Sequence, residues 1–415
     1  MHALGTYRRY SARRRRFTSP AFEVSDERRC THTWVLGKTG MGKSTFLLNS
    51  IGQDIRAGRG MVLLDPKGDL ARDVLAIVPP ARRRDVIYFD PADIYWPMGF
   101  NPLSGVDADQ RPLVVGTVVD ALHSLWPDSW GPQLQQFLEA TVGALVEMPG
   151  ASLPGINLML TSEPYRKKVL CHVQDVGVRA FWERDFPHMS DKEQRDRSLS
   201  TLNKVAQFFN DFRLRNIVGQ GRGGFDLDDV LASRRIFIAN LSQGQLGVGK
   251  SRLLGALLTA SLYMAALRRR ERDVFPFYAD EFHLFGASTF ADMLSILRSF
   301  GIAITVAHQY LDQLEPSLFA ALVGTVGTTV AFKVGTTDAD RLAPEFDRKA
   351  SDLTLLDPHT ALVRTGERTI QLDMPSCSMK RFPAGPRRII ANCRNQRARP
   401  RAIVEREIAA LLAAA

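Results

Sequence analysis

Cysteine is scarce in this chain: four residues, Cys30, Cys171, Cys377 and Cys393, scattered over 415 positions without CxxC spacing. That excludes a disulfide scaffold and a cysteine-based zinc site, and it predicts reduced thiols in a cytosolic protein. Long apolar runs are missing too. The longest charge-free apolar stretch, Leu253 to Leu267, spans 15 residues between arginines. A membrane span needs about 20, so this stretch predicts a buried helix. No apolar signal region opens the chain, no internal repeat is visible, and low complexity is confined to two arginine-rich arms. Acidic residues are absent from 380 to 401, where Lys380 and seven arginines give +8, while residues 1 to 29 set eight arginines against three acids for +5. The total is +10, so the body between the arms is mildly acidic. Two basic arms on such a body suit nucleic acid or an anionic membrane surface; each alone also fits a solvated, disordered tail.

What is present is a phosphate-loop pattern. Gly37 to Ser44 reads GKTGMGKS, between a strand-like run, His32 to Leu36, and a run with Phe46, Leu47, Leu48 and Ile51 at helical spacing. Glycines let backbone N–H groups close around phosphates, and a helix N-terminus adds its positive dipole. In that pattern Lys43 reaches the β- and γ-phosphates and the Ser44 hydroxyl ligates magnesium, so Gly37, Lys38, Thr39, Gly40, Met41, Gly42, Lys43, Ser44 and Thr45 are expected to bind ATP with Mg2+. The pattern occurs twice. Gly244 to Ser251 reads GQLGVGKS after a strand-like run, Arg235 to Leu241, and before a helical one. The first loop carries Thr39-Gly40 inside its cradle and the second carries the bulky Gln245-Leu246, so the second is expected to be a strand–turn–helix junction without nucleotide.

Met61 to Leu64 and Val86 to Phe89 read as further strands, separated by a helix that follows Asp65-Pro66-Lys67-Gly68-Asp69. From about 107 to 221 the period is helical and no convincing strand occurs. Strand–helix alternation resumes at Ile236 and continues through Phe275 to Ala279, Ile302 to Ala307 and Thr329 to Lys333. The class is α/β, with a mainly parallel sheet interrupted by an all-α insertion. The expected divisions are a basic arm 1–29, the first part of the α/β domain 30–106, the all-α domain 107–221, the second part 222–379, and a basic tail 380–415 with a short helix, Ile403 to Leu412.

Val274 to Glu281, VFPFYADE, ends an apolar strand in two carboxylates. Successive strand residues point oppositely, so Asp280 can serve the magnesium shell while Glu281 polarises the attacking water. The next strand ends in His308-Gln309; Gln309 suits a γ-phosphate sensor and His308 suits packing. Arg298, near the end of a helix over Thr289 to Phe300, fits an arginine finger reaching a neighbouring subunit and equally a solvated helix arginine. Arg341 and Lys67 are weaker rivals for that part.

The order HTWVLGKTGMGKS, DPKGD, a helical insertion, NLSQGQLG, YADEF and AHQY resembles the TraD/TraG-type coupling ATPases of conjugation and type IV secretion, within the HerA/FtsK group of P-loop motors. The resemblance covers roughly 30 to 371. It implies a RecA-like P-loop ATPase core with an all-α domain, a ring of six with DNA passing through its centre, and nucleotide roles for Lys43, Ser44, Asp280, Glu281 and Gln309. It matches Arg298 to a recurrent arginine. Membrane-bound relatives carry an N-terminal transmembrane hairpin where this chain has a polyarginine arm, which implies either a soluble relative or peripheral recruitment to the inner membrane face by lipid or a secretion-channel or relaxosome partner. The rival readings are a HerA-like repair or genome-handling motor and a non-hydrolysing ATP-dependent DNA-binding adaptor.

Overall fold

The computed structural model describes residues 1–7, 9–11, 16–375 and 379–413, with side chains outside 9–11, 16–17 and 207–209. Cys377 and Arg8, Arg13, Arg14 and Arg15 lie outside the described residues. The chain divides into two compact units. One comprises Met1–Tyr88, Leu227–Leu241 and Ala265–Ala391; the other comprises Phe89–Asp226, Ser242–Met264 and Asn392–Ala415.

The first unit is built on strands β1 (His2–Thr6), β2 (Arg9–Ser11), β3 (Arg16–Thr18), β4 (Ala21–Val24), β5 (Thr33–Leu36), β6 (Met61–Asp65), β7 (Val86–Phe89), β8 (Ile236–Asn240), β9 (Phe275–Asp280), β10 (Ile302–His308), β11 (Thr328–Ala331), β12 (Thr360–Thr365) and β13 (Arg368–Asp373). Eleven of them form one sheet in the order β4-β1-β13-β12-β11-β5-β10-β9-β6-β8-β7, and β2 pairs only with β3. From β11 to β8 the pairing is parallel. Such strands are covered on both faces and read as apolar runs: β5, β6, β8, β9 and β10 are buried at every position. From β4 to β11 the pairing is antiparallel, so the sheet is mixed, with its parallel half holding the strand ends that matter below.

Register brings those ends level. His308 pairs with Leu36, Ala307 with Asp280 and Leu64 with Ala279. The chain therefore leaves β5, β6, β9 and β10 at one edge. The helix Lys43–Arg56 buries Phe46, Leu47, Leu48, Ile51 and Ile55, each contributing about 1.5–3 kcal/mol by removal from water. Its far end is fixed by a buried network. Arg29 donates to both carboxylate oxygens of Asp54 at 2.8 and 2.7 Å, and the Tyr278 hydroxyl on β9 donates to the same carboxylate. Asp54 and Tyr278 are fully buried, so the phosphate-loop helix is locked in angle to the carboxylate strand.

Both expected arms differ from expectation. The region 1–29 supplies β1 and β4 to the main sheet and Arg29 to its interior. Residues 380–413 form two helices, Gly385–Arg397 and Arg401–Ala413. Acids neutralise much of that tail: Arg381 pairs with Asp73, Arg394 with Asp93 at 2.7 Å, Arg399 with Glu407, and Arg401 with Glu405 at 2.8 Å. Charge counting along the sequence cannot see the first two pairs, because their acids sit 308 and 301 residues away.

The second unit is helical. No strand lies within residues 90–226, and the helices Pro132–Glu147, Gly155–Thr161 and Asp191–Phe209 belong to it. Its centre is aromatic: Phe137, Phe181, Trp182 and Phe186 are buried, the indole of Trp182 donates to the Ala140 carbonyl at 3.0 Å, and Arg166 lies 4.9 Å over the Phe186 ring.

Candidate nucleotide site

At the level edge of the parallel strands lies a cleft of about 140 Å³, lined by Thr39, Gly40, Gly42, Lys43, Ser44, Thr45, Lys67, Asp280 and His359. A larger cavity of about 700 Å³ lies in the helical unit. Its charged Glu147 is already bound by Arg111 at 2.7 Å and by two backbone N–H groups, so its chemistry is structural.

Two glycines make the smaller cleft possible. Gly37 has φ +149°, and a Cβ there would stand 2.6 Å from Cβ of Phe332; at Gly42, φ +119°, it would stand 2.9 Å from the Phe332 ring and 3.2 Å from Cα of His359. The loop is pressed onto these residues. Lys43 is buried, and its ammonium donates to the Gly37 carbonyl and, at 3.2 Å, to that of Lys38. Burial lowers its pKa against the opposing pull of Asp280 and Glu281. Ser44, exposed, opens the helix whose first-turn N–H groups have no partner within the helix.

The carboxylates take different surroundings. Asp280 is 3% exposed, and burial pushes its carboxyl up to about 6, with Lys67 opposing and Glu281 adding to the rise. Glu281 leaves the strand in the left-handed region, φ +45°. That turn lets its Oε1 accept from Lys67 Nζ and Gln309 Nε2, each at 2.6 Å. Burial raises its pKa, but these two donors outweigh it and the net shift is downward. Its Oε2 is buried without a hydrogen-bond partner among the described residues. Gln309 closes a chain to the loop, its Oε1 accepting from the Thr39 hydroxyl at 2.9 Å.

The structure thus gathers Lys43, Ser44, Asp280, Glu281 and Gln309, and adds Lys67. His308 is a core residue: fully buried, stacked on Trp34, accepting its indole N–H at 2.8 Å, and pushed down by burial to about 3. Arg298 is not in the cleft. It is exposed on the turn Leu297–Phe300 before β10 starts, and its charge is felt by Cys30 and His32 at the opposite edge of the sheet. The seven residues of β10 separate it from this cleft by on the order of 20 Å. Arg341 pairs with Asp312 at 3.1 Å and lies over Phe319. Sequence reasoning missed His359 and Phe332, which come from segments with no motif of their own.

The second glycine pattern has another structure. Gln243–Leu246 is a helical turn, Gly247 has φ +85°, and a helix runs from Val248. The N–H groups of Gln245 and Leu246 donate to Ser242 and that of Gly247 to Gln243, so none faces a phosphate. Lys250 pairs with Asp211 at 2.5 Å, and Arg213 caps the Gln245 carbonyl at 2.8 Å.

The donors fit a nucleotide with its metal. The glycine cradle and the orphaned Glu281 oxygen stand beside Ser44 and Asp280, while no cluster of three or more His, Cys, Asp or Glu among the described residues could hold an ion alone. A magnesium ion here would need nucleotide oxygens.

No family model matches the chain, and no curated protein matches it in sequence. Solved structures match it in fold. The plasmid coupling protein TrwB in complex with ADP and Mg2+ is 17% identical with a TM-score of 0.63, over 93% of this chain and 97% of that one. The unbound monoclinic form of the bacterial conjugative coupling protein TrwB, lacking its N-terminal 70 residues, gives 17% and 0.60, over 86% and 88%. VirB4 of Thermoanaerobacter pseudethanolicus gives 15% and 0.58, over 92% and 97%. The RecA-like fold and the likeness to coupling ATPases implied by the motif order are therefore met in these structures.

Proposed function

We propose that this chain is an ATP-hydrolysing motor that moves DNA, of the kind that serves conjugation and type IV secretion. The observation carrying the proposal is that Lys43, Asp280, Glu281, Gln309 and Lys67, from four strand ends far apart in sequence, meet at one glycine cradle. The coupling protein TrwB, similar in fold, has been solved with ADP and Mg2+ and with a non-hydrolysable ATP analogue.

In this reading the N–H groups of Gly40 to Thr45 hold the phosphates and Lys43 leaves the loop carbonyls for the β- and γ-phosphates. Ser44 and Asp280 would hold magnesium, which neutralises phosphate charge when bound. Lys67 and Gln309 fix Glu281 through one oxygen, and this leaves Oε2 to orient and polarise the attacking water. Gln309, tied to Thr39, links the loop to that carboxylate. Arg298, exposed at the far edge, would serve as an arginine finger only at another subunit's site, in a ring in which each cleft is completed by its neighbour. The exposed Lys380, Arg387 and Arg388 would meet DNA phosphates without reading sequence.

The test is ATP turnover with and without single- and double-stranded DNA at two salt concentrations. DNA-stimulated turnover that weakens steeply with salt is expected. Nucleotide binding without turnover in any condition would replace the motor by an ATP-dependent adaptor.

A further inference from the structure

The strand order β12-β11-β5-β10-β9-β6 puts the phosphate loop, which follows β5, between two flanks. One flank carries Asp280 and Lys67, the groups that serve the γ-phosphate and metal. The other carries His359, which directly precedes β12. His359 lines the same cleft as Thr45, the end of the loop where the α-phosphate and sugar emerge.

His359 is held there firmly. Its φ is +63°, a conformation non-glycine residues adopt rarely and chiefly at turns and functional sites. Two backbone bonds fix it: its N–H donates to the Met41 carbonyl of the loop at 2.9 Å, and its carbonyl accepts from Met374 at 2.7 Å. The imidazole Nδ1 stands 3.2 Å from where a Cβ on Gly42 would be, so ring and loop are in contact, while the residue as a whole is exposed. A side chain with a donor and an acceptor is thus anchored by its backbone at the mouth of the cleft, on the side away from the carboxylates.

We infer that His359 is a nucleotide-binding residue, its imidazole contacting the sugar of the bound nucleoside phosphate. The inference rests on the assignment of the cleft to a nucleotide. It makes the hairpin β12–β13 part of the nucleotide site through a residue that discriminates nucleosides from bare polyphosphate.

The experiment uses His359→Gly, which keeps the left-handed backbone without strain and removes only the ring. Binding of a fluorescent ADP analogue and of unlabelled tripolyphosphate, the latter by competition, is measured on the full chain for wild type, His359→Gly and Lys43→Ala. The expected result is ADP affinity about tenfold weaker in His359→Gly, the size of one lost hydrogen bond to the sugar, with tripolyphosphate affinity unchanged. Equal weakening of both ligands would make His359 a prop for the loop, and no change in either would leave the ring without a role; both outcomes overturn the inference. Failure of the wild-type chain to bind either ligand would instead overturn the assignment of the cleft.

Discussion

Two segments of this chain, Gly37–Ser44 and Gly244–Ser251, share glycine, lysine and serine at the same spacing, and they hold their backbone donors in opposite ways. In the first, positive φ at Gly37, Gly40 and Gly42 turns the loop into a cradle, with Asp280 and Lys67 on its wall. In the second, the N–H groups of Gln245, Leu246 and Gly247 are already bonded to Ser242 and Gln243, and the lysine is already paired with Asp211. Glycine spacing permits a phosphate loop without requiring one. What decides is whether local helix formation satisfies the N–H groups first, and Gln243 to Leu246 are residues that allow it.

The comparison breaks most readily at its lysines. Lys43→Ala should weaken nucleotide binding by about a hundredfold or more, whereas Lys250→Ala should stay within about twofold, as titration with a fluorescent nucleotide would show. Loss of binding in the Lys250 variant would make the second segment a site after all. Next in size, Glu281→Gln should lower ATP turnover by about a hundredfold while nucleotide affinity is kept; equal turnover would take Glu281 out of the chemistry.

Glycine substitutions separate the segments by sign. Gly37→Ala forces a Cβ against Phe332 and should cost about 1–3 kcal/mol in urea unfolding. Gly244→Ala falls in a helical turn with its nearest neighbour at 3.9 Å and should gain up to about 1 kcal/mol. Destabilisation by both would mean the second glycine also has a conformational task.

A further effect is one of pH. Burial holds His2 and His32 at about 4 and His308 at about 3, all below the ordinary 6.5 and all in the unit with the first segment. Because the unfolded chain takes these protons first, the stability they represent is present above about pH 6.5 and is lost as pH falls toward 4. Asp280, raised to about 6, works the other way between that value and 3.8. The net slope should reach about 1.4 kcal/mol per pH unit for each proton of difference. All three histidines lie in the sheet unit, so hydrogen exchange at pH 5 should show that unit loosened relative to pH 7.

The parallel half of the sheet and the strand-end positions of Asp280, Glu281 and Gln309 were legible because buried strands and the polar turns that end them leave contiguous patterns. The antiparallel half was not. β12 and β13 are partly exposed, and β1 lies in a stretch whose arginines dominate the composition. His359 had no local signal at all: its part depends on a backbone angle and on β11 and β12 folding beside β5. The tail was misjudged for a related reason, since Arg381 meets an acid 308 positions earlier.

The level strand ends also set a timetable. Thr33 pairs with Thr305 and with Thr328, so β5 leaves the ribosome long before either neighbour exists. At about 5–20 residues per second, its buried edges wait on the order of tens of seconds for a partner. The phosphate loop is therefore made well before the strands that complete its site. Over that interval the nascent chain exposes a strand that a chaperone, or a second chain on the same message, could capture.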